Sequence, residues 1–308
     1  MKILVTGAGG FLGWHICQHL GRSGHTIAAV GRFSGDAAIG GRYPGLELLA
    51  GMTLPDPAFE RAVKSFRPDV LVHCAGTAQV ADSVKRPYLD FQRSVDVCAY
   101  VLEALHQNAP AAQFVLLSSA SLYGNPEHLP VAESARCAPL SPYGYHKWLC
   151  ELVVEEYRTL FGMRTAILRI FSAYGRGLRR QVVYDLCEKM INAQGPVRVF
   201  GTGAESRDFI HASDVAQAVA CVAAGASGIY NVGSGTETSV ADLVRFLADQ
   251  LHCDKEIVFT NEQLPGYPTN WRADISHLET LGFRPAVSLR QGLADYCRWF
   301  QPVRASAA

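Results

Sequence analysis

The chain has 308 residues, of which 49% are hydrophobic, and its 28 basic and 28 acidic residues give a formal net charge of zero. This balance argues against nucleic-acid binding and against a polybasic membrane surface, and no apolar run approaches the ~20 residues that a membrane-spanning helix needs. The 9 cysteines are scattered without a Cys-x-x-Cys pair. We therefore expect reduced thiols in a cytoplasmic protein that has no signal peptide.

A glycine-rich turn follows the first predicted strand, Lys2 to Thr6, and precedes a helical pattern that ends near Gly24. In this order of strand, turn and helix, glycines allow a tight turn and let backbone N–H groups approach a pyrophosphate. A turn that serves only helix–strand packing is the alternative. We predict a dinucleotide site at Gly7, Gly10, Phe11, Leu12 and Gly13.

The second predicted strand, Thr26 to Val30, ends at Gly31 and Arg32. Sites for NAD usually have a carboxylate here, which accepts hydrogen bonds from the ribose 2′-hydroxyl. This chain has no carboxylate at the position, and a guanidinium can pair with a 2′-phosphate. We therefore predict NADP as the cofactor, with contacts from Arg32. NAD is the alternative, because an arginine beyond a strand can simply be solvated.

The next predicted elements continue to alternate between strands and helices. They are a strand from Leu46 to Ala50, a helix from Asp56 to Phe66, a buried strand that leads into a small-residue turn over Asp69 to Gly76, a helical stretch from Pro87 to His106, and strands from Gln113 to Leu117 and from Arg164 to Phe171. This alternation predicts an α/β fold with a Rossmann-type, doubly wound, mostly parallel sheet. Ligands of such sheets bind at the carboxyl ends of the strands. The residues at these ends include Ala75, Gly76, Ser118, Ser119 and Ser121.

After Phe171 the pattern becomes less regular. We predict a helix ending near Ala193, a strand from Val197 to Phe200, a helix from Ser213 to Ala224, a strand from Ile229 to Val232, a helix from Ser239 to Leu251, a strand from Ile257 to Thr260 and two C-terminal helices. The dinucleotide-binding domain is therefore assigned to 1–171, with later contributions near 208–235. A smaller α/β substrate domain is assigned to 172–308.

A tyrosine and a lysine are four residues apart on one predicted helix. Ser141 is a suitable N-cap, Pro142 is a suitable first residue, and a helix-favouring run continues to a stop at Gly162. Residues four apart share a helix face, so the ammonium of Lys147 is expected near the phenol of Tyr143. A neighbouring cation favours the phenolate, which lets the phenol exchange a proton with a substrate oxygen near neutral pH. A surface pair without a role is the alternative.

Six motifs, in order, cover almost the whole chain. They are Thr6-Gly7-Ala8-Gly9-Gly10-Phe11-Leu12-Gly13, His73-Cys74-Ala75-Gly76, Ser118-Ser119-Ala120-Ser121-Leu122-Tyr123-Gly124, Tyr143-Gly144-Tyr145-His146-Lys147, Arg207-Asp208-Phe209-Ile210-His211 and Tyr230-Asn231-Val232-Gly233-Ser234-Gly235. With these motifs the chain resembles the extended short-chain dehydrogenase/reductases that act on nucleotide sugars. This family includes epimerases, 4,6-dehydratases, decarboxylases and 4-ketoreductases.

The resemblance implies a role for each catalytic residue. Tyr143 would be the general acid/base at the sugar C4 oxygen. Lys147 would hold the nicotinamide ribose and favour the phenolate form of Tyr143. Ser119 would hydrogen-bond the same sugar oxygen, with Ser121 as the fallback and a further substrate contact. Members of the family often form dimers through a four-helix bundle, which here would use helices near 87–106 and 142–161.

The resemblance also implies where the nucleotide diphosphate binds. Arg207 would contact the diphosphate, and Phe209 would lie beside it. The family's Arg-Pro-Gly diphosphate motif is Leu264-Pro265-Gly266 here, and we expect Arg272 to supply the missing charge. Other arginines that could contact a diphosphate lie at 169, 176, 179 and 180, although a solvated surface is the alternative for most of them.

Other positions also depart from the family's pattern. Dehydratases usually carry an Asp-Glu pair after the catalytic threonine, whereas this chain has Ala120 and Ser121. We set 4,6-dehydration aside because this chain lacks the acid and the base that carry protons in that reaction. Where the family commonly has an aspartate near the adenine, this chain has Met52. Where it commonly has two asparagines near the nucleotide, this chain has Ser94 and Ser172.

Three functions remain. The leading interpretation is NADPH-dependent reduction of a nucleotide-linked 4-keto or 4-keto-6-deoxy sugar, because Arg32 favours NADP. The alternative is a nucleotide-sugar 4-epimerase with tightly bound NAD, similar to UDP-glucose 4-epimerase. The third is a dinucleotide-binding scaffold without activity, whose expected signature is loss of the Ser–Tyr–Lys set. We predict no metal site, since His15 and His19 have no third ligand, and we read Cys74 as a buried residue rather than a nucleophile.

Overall fold

The computed structural model describes residues 1–33, 43–262 and 266–305. Its strands are β1 (Lys2–Thr6), β2 (Thr26–Gly31), β3 (Leu46–Gly51), β4 (Val70–His73), β5 (Gln113–Ser119), β6 (Thr165–Ile170), β7 (Ser172–Tyr174), β8 (Val197–Val199), β9 (Ser206–His211), β10 (Gly228–Val232), β11 (Glu237–Ser239) and β12 (Ile257–Phe259). Its helices are α1 (Phe11–Arg22), α2 (Pro57–Phe66), α3 (Val80–Lys85), α4 (Pro87–Phe91), α5 (Val97–Asn108), α6 (Pro142–Phe161), α7 (Gln181–Asn192), α8 (Ala212–Ala223), α9 (Val240–Leu251), α10 (Ser276–Glu279) and α11 (Leu289–Ala305). A π-helical turn, Gln92–Asp96, joins α4 to α5, and a 3-10 turn, Ala120–Tyr123, follows β5.

The central sheet has seven parallel strands in the order β10-β6-β5-β4-β1-β2-β3. The chain first builds the sheet from β1 towards β3, then returns to the other side of β1 and continues through β4, β5 and β6. In a doubly wound sheet, ligands bind where the strand order reverses in this way. The predicted Rossmann-type fold is confirmed.

Side chains of the central strands contribute to two hydrophobic cores, one on each face of the sheet. Ile3 and Val5 of β1 belong to the core that α1 and α8 cover, whereas Leu4 belongs to the core that α2, α5 and α6 cover. Successive residues of a strand point to opposite faces, so burial of both faces requires apolar residues throughout. This explains why the strands are nearly continuous hydrophobic runs in the sequence.

A smaller α/β part follows β6. It contains a three-stranded sheet, β11-β9-β7, and a two-stranded sheet, β12-β8. A third hydrophobic core includes side chains of α7, α9 and α11. Strand β10 does not belong to these small sheets, because it returns to the central sheet and pairs with β6. The domain limits near residue 171 stay a prediction.

The structure adds elements that the sequence did not predict. Helix α3 has six residues and begins after Gln79, whose side chain makes no capping hydrogen bond, so the usual start signals are missing. Strands β7 and β11 have three residues each, which is too short for a pattern of alternation. The predicted helix from Pro87 to His106 is divided by the π-helical turn. No helix in the described ranges is long and apolar enough to cross a membrane.

Candidate active site

The glycine turn after β1 is packed so closely that side chains would not fit. Gly7 has a φ of +66°, and a Cβ atom there would lie 2.7 Å from the backbone nitrogen of Ala75. A Cβ atom at Gly13 would lie 2.2 Å from the carbonyl oxygen of Gly7. Helix α1 begins directly after the turn, and its cap residue, Gly10, has no side chain to satisfy the first N–H groups. The turn therefore fits the predicted role of holding a pyrophosphate on backbone N–H groups.

The structure adds Gly9 to the glycines that the turn requires. A Cβ atom at Gly9 would lie 2.1 Å from the carbonyl oxygen of Arg32, which follows β2. The Gly9-Gly10 pair was visible in the sequence, but nothing in the sequence indicated which strand end it meets.

A cleft of about 1130 Å³ runs along the carboxyl edge of the central sheet, from the glycine turn to β9 of the smaller part. Its walls include the predicted site residues Gly7, Gly10, Phe11, Leu12, Gly13, Arg32, Ala75, Gly76, Ser119, Ser121, Tyr143, Lys147, Arg207 and Phe209. Arg272 is not among the described residues that line this cleft; its neighbours Thr269 and Trp271 are. The structure therefore places Arg272 off the wall where we expected it to meet a diphosphate.

The start of α6 fixes the tyrosine and the lysine. The hydroxyl of Ser141 caps the helix by accepting from the Gly144 N–H at 3.3 Å. The N–H of Tyr143 donates to the hydroxyl of Ser83 on α3 at 3.0 Å. One turn later, Lys147 Nζ lies 6.0 Å from the centroid of the Tyr143 ring.

Lys147 is nearly buried, with 9% of its surface exposed. Its ammonium donates to the carbonyl oxygen of Leu117 at 3.1 Å. Burial works to lower the pKa of Lys147, but the negative charges available from Tyr143 and from nearby thiols outweigh burial and raise it. The ammonium therefore stays charged at neutral pH. It also faces the cofactor end of the cleft, since a Cβ atom at Gly76 would lie 3.9 Å from Nζ.

Two serines lie at the end of β5 beside this pair, Ser119 as its last residue and Ser121 in the 3-10 turn that follows. The hydroxyl of Ser119 accepts from the N–H of Ser121 at 3.2 Å. The hydroxyl of Ser121 is buried and has no hydrogen-bond partner within the described structure. Unpaired buried hydroxyl groups are costly, which is consistent with a partner that a ligand supplies. Because a Cβ atom at Gly144 would lie 2.7 Å from the Ser121 carbonyl oxygen, the glycine lets α6 approach the serine turn.

Arg207 of β9 carries a largely buried charge at the other end of the cleft. It donates to the carbonyl oxygens of Ser206 at 2.7 Å and Thr269 at 3.0 Å, and it lies 5.6 Å from the Trp271 ring centroid. Burial lowers the pKa of Arg207 to about 10, so the guanidinium is still charged at neutral pH. Among the described residues it forms no ion pair, which leaves its charge available to an anion. Phe209 lies two residues along the same strand and also lines the cleft.

Arg169 has the opposite environment, although its residue type is the same. It is buried in an ion pair with Glu151 at 2.8 Å and also donates to the hydroxyl of Tyr123. Because its charge is already compensated, the structure contradicts the expectation that Arg169 contacts a diphosphate. Of the other arginines we considered, Arg180 lines the cleft, whereas Arg176 and Arg179 do not belong to its described walls.

Positions that depart from the family's pattern also occur near the cleft. Met52 and Ser172 line it. Ser94 is buried, and its hydroxyl forms a 2.9 Å hydrogen bond with the hydroxyl of Thr77. The residues Leu264 and Pro265 lie outside the described part of the chain.

Burial shifts the pKa of His15 and of Cys74, the two residues with candidate metal or nucleophilic chemistry. His15 Nε2 donates to the Arg176 carbonyl oxygen at 2.8 Å, and burial lowers the pKa of His15 to about 4. Burial raises the pKa of Cys74 to about 12, so its thiol is protonated at neutral pH and a poor nucleophile. Within the described ranges, no group of three or more His, Cys, Asp or Glu side chains could hold a metal ion.

The glycine turn, the reversal of strand order at β1 and the Ser–Tyr–Lys set are together typical of an extended short-chain dehydrogenase/reductase. A family model described as the NAD dependent epimerase/dehydratase family matches residues 3–233. The chain belongs to this family, and the resemblance to its nucleotide-sugar enzymes is confirmed.

Similar proteins act on UDP-linked sugars. The chain is 30% identical over 311 residues to an uncharacterized UDP-glucose epimerase of Bacillus subtilis, covering 96% of each chain. It is 28% identical to the UDP-glucose 4-epimerase of Azospirillum brasilense, covering 95% of this chain and 89% of the relative.

Solved structures of similar fold are also 4-epimerases of UDP-linked sugars. A UDP-glucose-4-epimerase of Stenotrophomonas maltophila with bound NAD and formylated UDP-arabinopyranose superposes with a TM-score of 0.91 at 25% identity, covering 100% of both chains. The UDP-glucuronic acid 4-epimerase of Bacillus cereus, in complex with UDP-glucuronic acid and NAD, gives 0.88 at 27% identity, covering 98% of this chain and 100% of that one.

These findings do not support the predicted preference for NADP or for 4-keto reduction. The inference depended on Arg32, whose exposed side chain lines the cleft and also a neighbouring cavity. A guanidinium at this junction can serve any phosphate group of a dinucleotide, so it does not distinguish a 2′-phosphate from a diphosphate. The alternative that we kept open, an epimerase with NAD, agrees better with the relatives.

Proposed function

We propose that the protein is a 4-epimerase of a UDP-linked sugar that keeps NAD bound between turnovers. The observation that carries this proposal is the cleft itself, because one wall combines Tyr143, Lys147, Ser119 and Ser121 and continues into the glycine turn. Proteins of similar structure are epimerases in complex with NAD and a UDP-linked sugar. The product would be an activated sugar for polysaccharide biosynthesis.

NAD, when held against the glycine turn, would supply the acceptor and donor of the hydride at the sugar C4. The remaining work is proton transfer, which falls to Tyr143. As a phenolate, its Oη takes the proton of the C4 hydroxyl while C4 becomes a carbonyl, and as a phenol it returns the proton after the sugar has turned its other face to the cofactor. A single phenol serves both halves of the reaction, which therefore needs no second acid.

Lys147 and the two serines support this transfer. The ammonium of Lys147 stabilises the negative charge that Tyr143 acquires when it gives up its proton. The hydroxyl of Ser119, and the unpaired hydroxyl of Ser121, can donate to the sugar oxygen as charge develops on it. At the far end, Arg207 would bind the diphosphate, with Phe209 beside it.

The experiment starts from purified protein with no added cofactor. It is incubated with UDP-glucose, and separately with UDP-glucuronic acid, and the formation of the C4 epimer is followed by chromatography. When the protein is denatured, it should release about one molecule of NAD per protein chain. Conversion that requires added NADPH and a 4-keto sugar would overturn the proposal in favour of the reductase.

A matched pair of tyrosines on α6 tests the proton carrier. Tyr143→Phe removes the hydroxyl at the cleft and should reduce kcat by about 10²–10⁴-fold, the usual contribution of general acid–base catalysis. Tyr145→Phe is the control, because Tyr145 is 51% exposed and does not line the cleft. Equal activity of both variants would exclude Tyr143 as the proton carrier and would revive the scaffold hypothesis.

We also propose that a second copy of the chain covers one face of α4 and α6. Exposed apolar side chains are concentrated there, namely Tyr88, Phe91, Tyr145, Leu149, Leu152, Leu160 and Phe161. Two antiparallel copies of such a face bury each other as a four-helix bundle. Leu152→Lys should convert the dimer to a monomer in sedimentation experiments, and a monomeric wild type would contradict this.

A cytoplasmic location is part of the same proposal. The cysteines at all 9 positions are free thiols in the structure, which supports a reducing compartment.

A further inference from the structure

A second cavity, of about 530 Å³, adjoins the cleft near the glycine turn. We call it the cationic chamber and define it by the five basic residues of its wall: Arg32, Lys85, Arg86, Arg93 and Arg180. Within the described structure, none of these five side chains makes a hydrogen bond or an ion pair. Two acids also line the chamber, but Asp90 is buried against His146 Nδ1 at 2.5 Å, which leaves Asp82 alone. A chain with no net charge therefore has a local excess of unpaired cations here.

The chamber borders the glycine turn from two sides. The backbone of Arg32 lies against Gly9, as the 2.1 Å distance from a Gly9 Cβ to the Arg32 carbonyl oxygen indicates. The other side is the segment after β4, whose backbone nitrogen at Ala75 would lie 2.7 Å from a Cβ atom at Gly7. The chamber and the cleft share this segment and Arg93. A diphosphate on the N–H groups of the turn would therefore lie within reach of the chamber.

Arg180 is brought to the chamber by a specific backbone arrangement. The next residue, Gln181, has a φ of +66°, which is uncommon for a residue with a side chain. Its side-chain amide donates to the Ala78 carbonyl oxygen in the chamber wall at 3.4 Å. Strained backbone of this kind persists where the surrounding structure requires it, and it is concentrated at ligand sites. The hydrogen bond of Gln181 ties the start of α7, from the smaller part of the protein, to the cofactor side of the cleft.

We propose that the cationic chamber binds a diphosphate, and that this is the diphosphate of the bound dinucleotide, held between the glycine turn and the guanidinium groups of Arg93 and Arg180. Guanidinium groups match phosphate oxygens in a bidentate geometry. Lys85 and Arg86 add positive charge further out. The assignment deepens the proposed function and rests on its NAD cofactor. It explains how NAD is retained between turnovers, because one residue from each part of the protein closes over the cofactor.

The test measures how fast bound NAD exchanges with labelled NAD in the purified protein. Arg93→Gln and Arg180→Gln should each accelerate exchange about tenfold or more, because each removes a charge-assisted hydrogen bond. The double variant should exchange fastest and should respond least to added salt, since salt screens the charges that it lacks. Arg22→Gln is the matched control, because Arg22 is exposed at the far end of α1, outside both cavities.

Arg180→Lys keeps the positive charge and should restore part of the slow exchange. Thermal unfolding checks that the variants are folded, which we expect because the substituted side chains have no described partner. A double variant that exchanges NAD at the wild-type rate, with the wild-type response to salt, would overturn the proposal.

A second arm uses inorganic pyrophosphate to identify the source of the diphosphate. If the chamber is filled by the cofactor, labelled pyrophosphate binds NAD-loaded protein only at Arg207, and the double variant Arg93→Gln/Arg180→Gln binds it equally well. Pyrophosphate that binds the loaded protein, and is lost in the double variant, would assign the chamber to a separate diphosphate and refute the cofactor assignment.

Both arms are independent of the reaction, because no sugar nucleotide is present. Failure to epimerise UDP-sugars would refute the proposed reaction and leave the exchange result standing. If the protein retains no NAD on purification, the equilibrium affinity for NAD gives the same comparison among the variants.

Discussion

Breaking the buried ion pair between Glu151 and Arg169 should destabilise the protein more than most single substitutions. Both side chains are 5% exposed, and Arg169 Nη2 lies 2.8 Å from Glu151 Oε2. Burial lowers the pKa of Arg169, but the hydrogen bonds and charge of Glu151 outweigh it and raise that pKa. Because a guanidinium is not deprotonated in proteins at neutral pH, Arg169 remains charged even when its partner is removed.

Glu151→Leu leaves this charge buried without a counter-ion. Removing one partner of a buried pair costs about 3–5 kcal/mol, compared with about 1 kcal/mol for an average substitution. The double variant Glu151→Leu/Arg169→Met should recover most of the loss, because apolar replacements of a whole buried pair are often neutral or stabilising. Denaturant unfolding of wild type, single and double variants measures these differences.

The same pair affects the active site through Ser118. The Ser118 hydroxyl donates to Glu151 Oε1 at 2.5 Å, and Ser119 is the next residue. Glu151 follows Lys147 by one turn of α6, so the contact fixes the helix against the end of β5. A single variant that loses less than about 1 kcal/mol, or a double variant less stable than the single one, would refute the reasoning.

Three further predictions follow from the geometry. Gly9→Ala places a Cβ 2.1 Å from the Arg32 carbonyl oxygen, so it should abolish the stabilisation by NAD in a thermal-shift assay. Gly195→Ala is the control and should keep this stabilisation, because a Cβ there meets nothing within 4 Å. Arg207 has a pKa of about 10 and binds an anion only when protonated. The affinity for UDP, measured by calorimetry, should therefore fall as the pH rises through about 10. The UDP affinity of Arg207→Gln should be weak at every pH. Burial lowers the pKa of His73 to about 3, below its unfolded value, so its contribution to stability is present above pH 6.5 and is lost as the pH falls towards 3. His73→Gln should flatten this part of the stability profile in denaturant titrations, and an unchanged slope would contradict the assignment.

The sequence predicted the parts of the site that depend on short-range spacing. The glycine turn lies between one strand and one helix, and Tyr143 and Lys147 are one helical turn apart. Ser119 is the last residue of its strand. These relations are set within single elements or at their junctions, where local rules determine the geometry.

The relations that the sequence did not reveal depend on partners far away in the chain. Arg169 and Arg207 have the same chemistry in the sequence, but a glutamate on α6 neutralises only the first. Gly9 is required because of the carbonyl of Arg32, and Arg180 reaches the cofactor side through an unusual backbone conformation at Gln181. Such relations become visible only when the elements are packed together.

The return of β10 to the central sheet limits how the molecule can be divided. A fragment that ends at residue 171 would lack β10 and α8, leaving the edge of β6 open. The same cut would remove Val215, Val219 and Tyr230 from the core on the α1 face. An open edge above an uncovered apolar surface favours aggregation. The nucleotide-binding half should therefore not be obtainable as a folded fragment. A chimera that exchanges the smaller half between relatives would also exchange β10 and α8, which pack in the nucleotide-binding half.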